Sequence, residues 1–234
     1  MTKIFLVLAA VIGVLLCASN VRAQLDPVAI GQGLVLSSTM RAQAERDAAR
    51  LRHRRGGHSV TKRRMASRLS NASTRFTPSQ ALRKRTLSQI VAKARAASPQ
   101  QGAALEKVFA KDPIAAIGSS LEKYGLKTND VADAATAYLM SAWYGVRGST
   151  EDPPRDKVRA LNAQVRRAFL SLPAFASASN AAKQQMADVL LVQTMITDAT
   201  VQAAKSKPEQ MEQAKATVKQ GALATFHLIY PKCN

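Results

Sequence analysis

From residue 78 onward the chain is cut into segments by helix stop and start signals, and nowhere in that stretch do apolar and polar residues alternate with a period of two. Such punctuation admits helices and excludes a sheet, so the sequence predicts an all-α fold, a compact bundle of about seven helices over residues 78–230. The clearest junctions are Ser98-Pro99 and Asp112-Pro113. Ser98 as N-cap, Pro99 at the first helical position and Gln101 two residues further on make a capping box, because Pro there forfeits no helical hydrogen bond and the serine hydroxyl can accept from a free amide.

Reading between these signals, a first helix over about 78–97 turns Leu82, Thr86, Leu87, Ile90, Val91 and Ala94 to one side. A second runs to about Lys111, burying Leu105, Val108 and Phe109, and a third to Tyr124, with Ile114, Ile117 and Leu121 inward and Gly125 closing it. Thr128 or Asn129 is expected to cap the fourth, which extends to about Val146. After a polar loop at 150–154, a fifth helix to Leu172 carries the stripe Val158, Leu161, Val165, Ala168, Phe169 and Leu172, and Pro173 stops it. Asn180 begins a long helix to about Lys205, and Pro208 opens the last, with Met211, Val218 and Ala222 facing inward.

The first part of the chain obeys different rules. Lys3, the apolar run Ile4 to Leu16 and the small residues of Val21-Arg22-Ala23 read as a secretory signal peptide over residues 1–23, cleaved after Ala23. Thirteen apolar residues rise only about 20 Å against a hydrocarbon core of about 30 Å, too short for a spanning helix. The expected location is therefore exported, periplasmic or secreted. Cleavage removes Cys17 and leaves Cys233 as the single cysteine, so no internal disulfide can form and packing must supply the stability.

The formal net charge is +19, and most of it sits in one block: Arg41 to Arg95 holds sixteen Lys and Arg against two acids. Residues 24–77 form a basic arm in which 39–55 has the composition of a helix, while 58–77 is too polar to offset the entropy of ordering and reads as a flexible linker. Arg52, Arg54, Arg55, Lys62, Arg63, Arg64 and Arg68 are its anion-binding candidates. No aromatic residue interleaves with them before Phe76, so base stacking and specific nucleic-acid recognition are not indicated. In an exported protein, an anionic envelope surface or an acidic protein partner fits this charge better than DNA. A solvated linker extended by its own charge remains an alternative reading.

Motifs for chemistry are sparse. No Gly-x-Ser-x-Gly, P-loop or His-Glu-x-x-His sequence occurs, and His53, His58 and His227 have no ligand partners near them, so neither metal nor cofactor is expected. The segment that departs from generic helix composition is YGLKTNDVADAATAYLMSAWYGVR, residues 124–147, which holds three of the four tyrosines and the single tryptophan. Asn129, Asp133, Tyr138 and Trp143 on its helix are candidates for a groove between helices that takes a small apolar ligand. The same residue types also suit caps, helix-dipole partners and core aromatics. Tyr-Gly-Leu, Asn129-Asp130-Val-Ala-Asp133-Ala, Ala137-Tyr138 and Ala142-Trp143 resemble the hallmark of a family of uncharacterised exported proteobacterial helical proteins, a domain of unknown function. That resemblance implies an envelope or secreted helical protein and supplies no catalytic residues. The leading expectation is thus a non-enzymatic binding or interaction module. Its alternatives are an envelope hydrolase using Asp130, Asp133 and Tyr138, or a secreted nucleic-acid-binding or toxin-like protein acting through the arm.

Overall fold

A computed structural model describes residues 73–226. The expected signal peptide, the 39–55 helix, the seven cations named in the arm, His53, His58, His227 and Cys233 lie outside the described residues. Within them the chain is all helical apart from one isolated bridge. There are seven helices of ten residues or more and one of four. These are α1 (Gln80–Ala97), α2 (Pro99–Phe109), α3 (Pro113–Glu122), α4 (Val131–Gly145), α5 (Arg155–Ser171), the single turn α6 (Pro173–Ala176), α7 (Asn180–Ala204) and α8 (Pro208–Phe226).

The first junctions form as local chemistry dictates. Ser98 ends α1 by donating its amide to the Ala94 carbonyl, and its hydroxyl then accepts from the Gln101 amide to start α2. Asp112 Oδ1 takes the amides of Ile114 and Ala115 at 3.0 and 3.2 Å, satisfying donors that the first turn of α3 leaves free. Gly125, at φ 75°, closes α3 in the left-handed region while the Leu126 amide reaches back 3.2 Å to the Leu121 carbonyl.

The architecture is organised around α7, which packs against α1, α3, α4 and α8. From Lys183 to Thr194 every residue but Gln185 is buried, as happens when neighbours cover nearly the whole circumference of a helix. Its most extensive partner is α4, buried all round from Val131 to Tyr138. Ile90, Ile114, Val131, Leu190, Leu191 and Val192 form the heart of the main core, and α8 adds a smaller cluster of Ala142, Val201, Val218 and Ala222.

Four features differ from the sequence expectation. Asp130, rather than Thr128 or Asn129, caps α4, because its carboxylate accepts the amides of Ala132 and Asp133. Residues 74–76, expected in the linker, dock on the bundle: Thr74 and Phe76 are buried, and the backbone pairs on either side of an Arg75–Asp130 bridge. The α5 stripe is mostly peripheral. Only Val158 is fully buried, while Leu172 is 49% exposed, because α5 lies at the edge and contacts mainly α4 and α6. Finally, Pro173 does not simply stop α5 but starts α6, whose Phe175 is completely buried with its ring 4.8 Å from that of Phe169.

The α1–α2 hairpin depends on Gly102, where an added Cβ would stand 2.4 Å from Arg95 Cβ and 2.7 Å from its Cα. Gly102→Ala gains about 1 kcal/mol of helix propensity, yet overpacking against a neighbouring main chain costs about 1–3 kcal/mol. The expected outcome is a lower urea midpoint with an unchanged m-value. A midpoint at or above that of the parent would show that the two helices part without cost.

Candidate functional site

The residues expected to share a groove do not meet. Asn129 contributes its carbonyl to the Phe76 amide at 3.1 Å. Asp133 turns toward α5, where its Oδ1 accepts from Asn162 at 2.8 Å and from Arg166 at 2.7 Å, while its Oδ2 takes the Lys127 amide at 2.9 Å. Tyr138 is buried toward α8, its hydroxyl 3.4 Å from Thr225 Oγ1. Trp143 is 42% exposed, with the Arg147 guanidinium 3.4 Å from its ring centroid.

Asp130 and Asp133 instead belong to a buried ion network. Arg166 Nη1 donates to Asp130 Oδ2 at 2.8 Å and to the Thr74 hydroxyl, and Nη2 donates to Asp133. Arg75 stands 3.7 Å from Asp130, and Lys183 of α7 donates to the Ser73 carbonyl at 2.7 Å. Burial raises the Asp133 pKa, with the neighbouring Asp130 charge adding to it, and the Asn162, Lys127 and Arg166 contacts oppose the rise. Burial also lowers the Lys183 pKa. Every carboxylate oxygen here has a donor, which suits anchoring rather than proton transfer to a substrate.

Further along the same side of α4, beyond Asp133, the helix opens onto space. Ala137, Met140, Ser141 and Tyr144, at helical spacing, line a cavity of about 660 Å³ together with Ile117, Leu121 and Leu126 at α3, the loop 149–153, and Thr194, Met195, Asp198, Val201 and Gln202 of α7. That volume suits a small organic molecule. The walls are largely apolar, with Lys107, Lys111 and Lys123 among the polar groups. Lys123 pairs with Asp152 at 2.6 Å, and Tyr124 OH donates to the same oxygen at 3.3 Å, tying the loop after α4 to the end of α3. The contact with Lys123 lowers the Asp152 pKa. For Lys123 itself, burial works against the charge, but Asp152 and Tyr124 outweigh it and the pKa rises.

Asp198 is the chemically distinctive group. It is half-buried because it borders the cavity, yet it lies far enough from bulk water that burial pushes its pKa up to about 6, against the opposing hydrogen bond from Ser141. Ser141 Oγ lies 2.5 Å from Asp198 Oδ1 and 3.4 Å from the Thr194 carbonyl. Sequence reading missed this pair, although one signal was available: Asp198 is the only charged residue between Val189 and Ala204. An isolated acid in so apolar a helix must face another helix or a cavity.

Among the described residues no three His, Cys, Asp or Glu side chains gather in a metal-binding arrangement, and no helix is long and apolar enough to cross a membrane. Fold and site together define a helical bundle with a largely apolar cavity beside its central helix pair. Residues 16–227 match a family of unknown function (DUF6683), and the chain belongs to that family. No curated protein and no solved structure shows a significant match to it.

The ion network predicts a pH-dependent cost. Arg166→Met strands two buried carboxylates, a loss of about 2–3 kcal/mol at neutral pH, less than for a fully buried pair because the Arg166 side chain is 34% exposed. Burial already raises the Asp133 pKa and Arg166 opposes that rise, so without the guanidinium Asp133 holds its proton still more tightly in the folded state than in the unfolded state, folding takes up a proton, and stability falls as pH rises through that window. The gap between variant and parent in urea denaturation should therefore shrink as pH is lowered from 7 toward 4. A gap that stays constant or widens on acidification would contradict the network's role.

Proposed function

We propose that the protein is an exported, non-enzymatic binding module, whose bundle holds a small, largely apolar molecule and whose basic arm contacts anionic envelope surfaces. The observation that carries the first half is the cavity of about 660 Å³ between α3, α4 and α7, walled by Leu121, Leu126, Met140, Met195 and Val201. An apolar space of that size facing water is costly unless something fills it. Export is supported by the character of residues 1–23, and the arm's role by its eleven Lys and Arg against two acids between Arg41 and Thr77.

The cavity is tested with the neutral fluorophore N-phenyl-1-naphthylamine, which the basic arm does not attract. Saturable binding at one site is expected, with Met140→Trp, which fills the cavity from α4, weakening it by about tenfold or more. Equal binding by both proteins would place the dye elsewhere and remove the support for a ligand cavity. The arm is tested separately by sedimentation with phosphatidylglycerol vesicles. Binding should weaken steeply with salt and disappear when residues 41–72 are deleted, a boundary that keeps the buried Thr74 and Phe76 in place. Retained binding after that deletion would overturn the electrostatic assignment.

A further inference from the structure

We propose that the cavity selects an amphipathic amine, its ammonium group paired with Asp198 and its apolar body lying along Leu121, Met140 and Met195. This rests on the cavity being a ligand site and adds the chemistry of the ligand.

The argument starts from an imbalance in how the molecule handles buried acids. Asp130 and Asp133 each have Arg166 within 2.8 Å, and Asp188 has Arg83 Nε at 3.4 Å. Asp198 has no Lys or Arg within salt-bridge distance among the described residues, and Ser141 supplies its one hydrogen bond, to Oδ1. Oδ2 accepts none. A carboxylate partly withdrawn from bulk water without a counter-ion is unfavourable, and the group responds by taking up a proton or by acquiring a cation. Unlike the other three, Asp198 borders a space large enough to admit one from outside.

The surroundings favour an organic cation over a bare ion. Thr194 and Gln202, one turn to either side of Asp198 on α7, line the same wall and offer further polar atoms for an ammonium's protons. Much of the remaining wall, among it Leu121, Leu126, Met140, Met195 and Val201, is methionine and aliphatic carbon, which rewards an attached hydrocarbon that a bare metal ion lacks. The cationic wall groups do not take the ligand's place: Lys123 is engaged by Asp152, and Lys107 and Lys111 are exposed residues of α2 and its end. The other titratable groups on the lining are Tyr144 of α4, Tyr124 after α3, and Asp112, Glu151 and Asp152 in loops. Of all these, Asp152 and Lys123 are the ones that influence Asp198 through space, in opposite senses.

Calorimetric titration of the full chain with n-decylammonium, 1-decanol and decanoate tests this. The parent is expected to bind the amine about tenfold more tightly than the alcohol, as a charge-assisted hydrogen bond should, while decanoate, which the basic arm also attracts, should show no binding that survives deletion of residues 41–72. In Asp198→Asn, which keeps the shape and an acceptor for Ser141, amine and alcohol should bind within about twofold of each other. Amine affinity of the parent should also fall between about pH 8 and about pH 5 as Asp198 takes up a proton, while that of the variant stays flat. Equal affinity for amine and alcohol in the parent, a preference that survives in the variant, or a flat pH profile in both overturns the amine site and leaves the cavity reading standing. Failure of all three probes to bind the parent overturns the cavity reading and the amine site with it.

Discussion

The fold hangs on the bidentate grip of Arg166 on Asp130 and Asp133. Asp130 is already committed as the N-cap of α4, so the helix that packs most extensively on α7 begins with a fully buried carboxylate. Arg166 on α5 neutralises that charge and, through the Thr74 hydroxyl, fixes the extended segment ahead of α1 in the same contact. One guanidinium thereby joins three stretches of chain far apart in sequence. Hydrophobic contact alone sets no rotation for α4, whose surface is alanine on almost every side in its first two turns. The ion network supplies the orientation: Asp133, Ala137, Met140 and Tyr144 follow one another at helical spacing, so holding Asp133 against Asn162 and Arg166 also fixes the direction in which the cavity wall of the later turns looks.

A second polar junction does comparable work in the first turns of α7. Gln184 makes a paired contact with the Ser79 backbone, donating to its carbonyl and accepting from its amide at 2.8 Å each, so the start of α1 is held as if by another peptide group. One turn on, Asp188 lies between Gln184 and Arg83, and Arg83 reaches on to the α3 cap, Asp112, at 3.5 Å. Burial raises the Asp188 pKa even though the Arg83 charge opposes it. Both junctions therefore carry a desolvation cost. What they contribute is register, the one property that a core rich in alanine and small aliphatic residues cannot specify for itself.

Where the sequence was readable, the deciding interaction lay within a few residues. Ser98 with Gln101, Asp112 with Ile114 and Gly125 with the end of α3 are all settled within one turn of helix, so cap chemistry identified them correctly. The same reasoning misplaced the α4 cap by one or two residues, because Thr128, Asn129 and Asp130 are all competent and the choice falls to Arg166, 36 residues away. The α5 stripe shows a related limit. Its periodicity is real, but periodicity identifies the inward face without saying how deep that face lies, and α5 sits on the rim. Tyr138 and Trp143 drew attention as aromatic residues five apart on one helix, yet five residues turn a helix by about 140°, which sends one into the α8 interface and the other to the surface.

The cavity was illegible for a deeper reason: it is what remains after three helices have stopped approaching one another. The tight α1–α2 turn at Gly102 places α2 so that its last residues, with α3, face the α4–α7 pair. At that wall α4 presents Ala137 and Ser141, side chains too short to cross the gap, Met140, which is long but unbranched and accommodates many shapes, and, one turn further on, Tyr144. Bundles ordinarily fill such a position with a branched or aromatic residue, since an unfilled volume costs stability in proportion to its size. Small residues set beside a carboxylate without a counter-ion incur that cost twice, once in lost packing and once in desolvation. A ligand that combines a hydrocarbon body with a positive charge is the one class of molecule that relieves both at the same place.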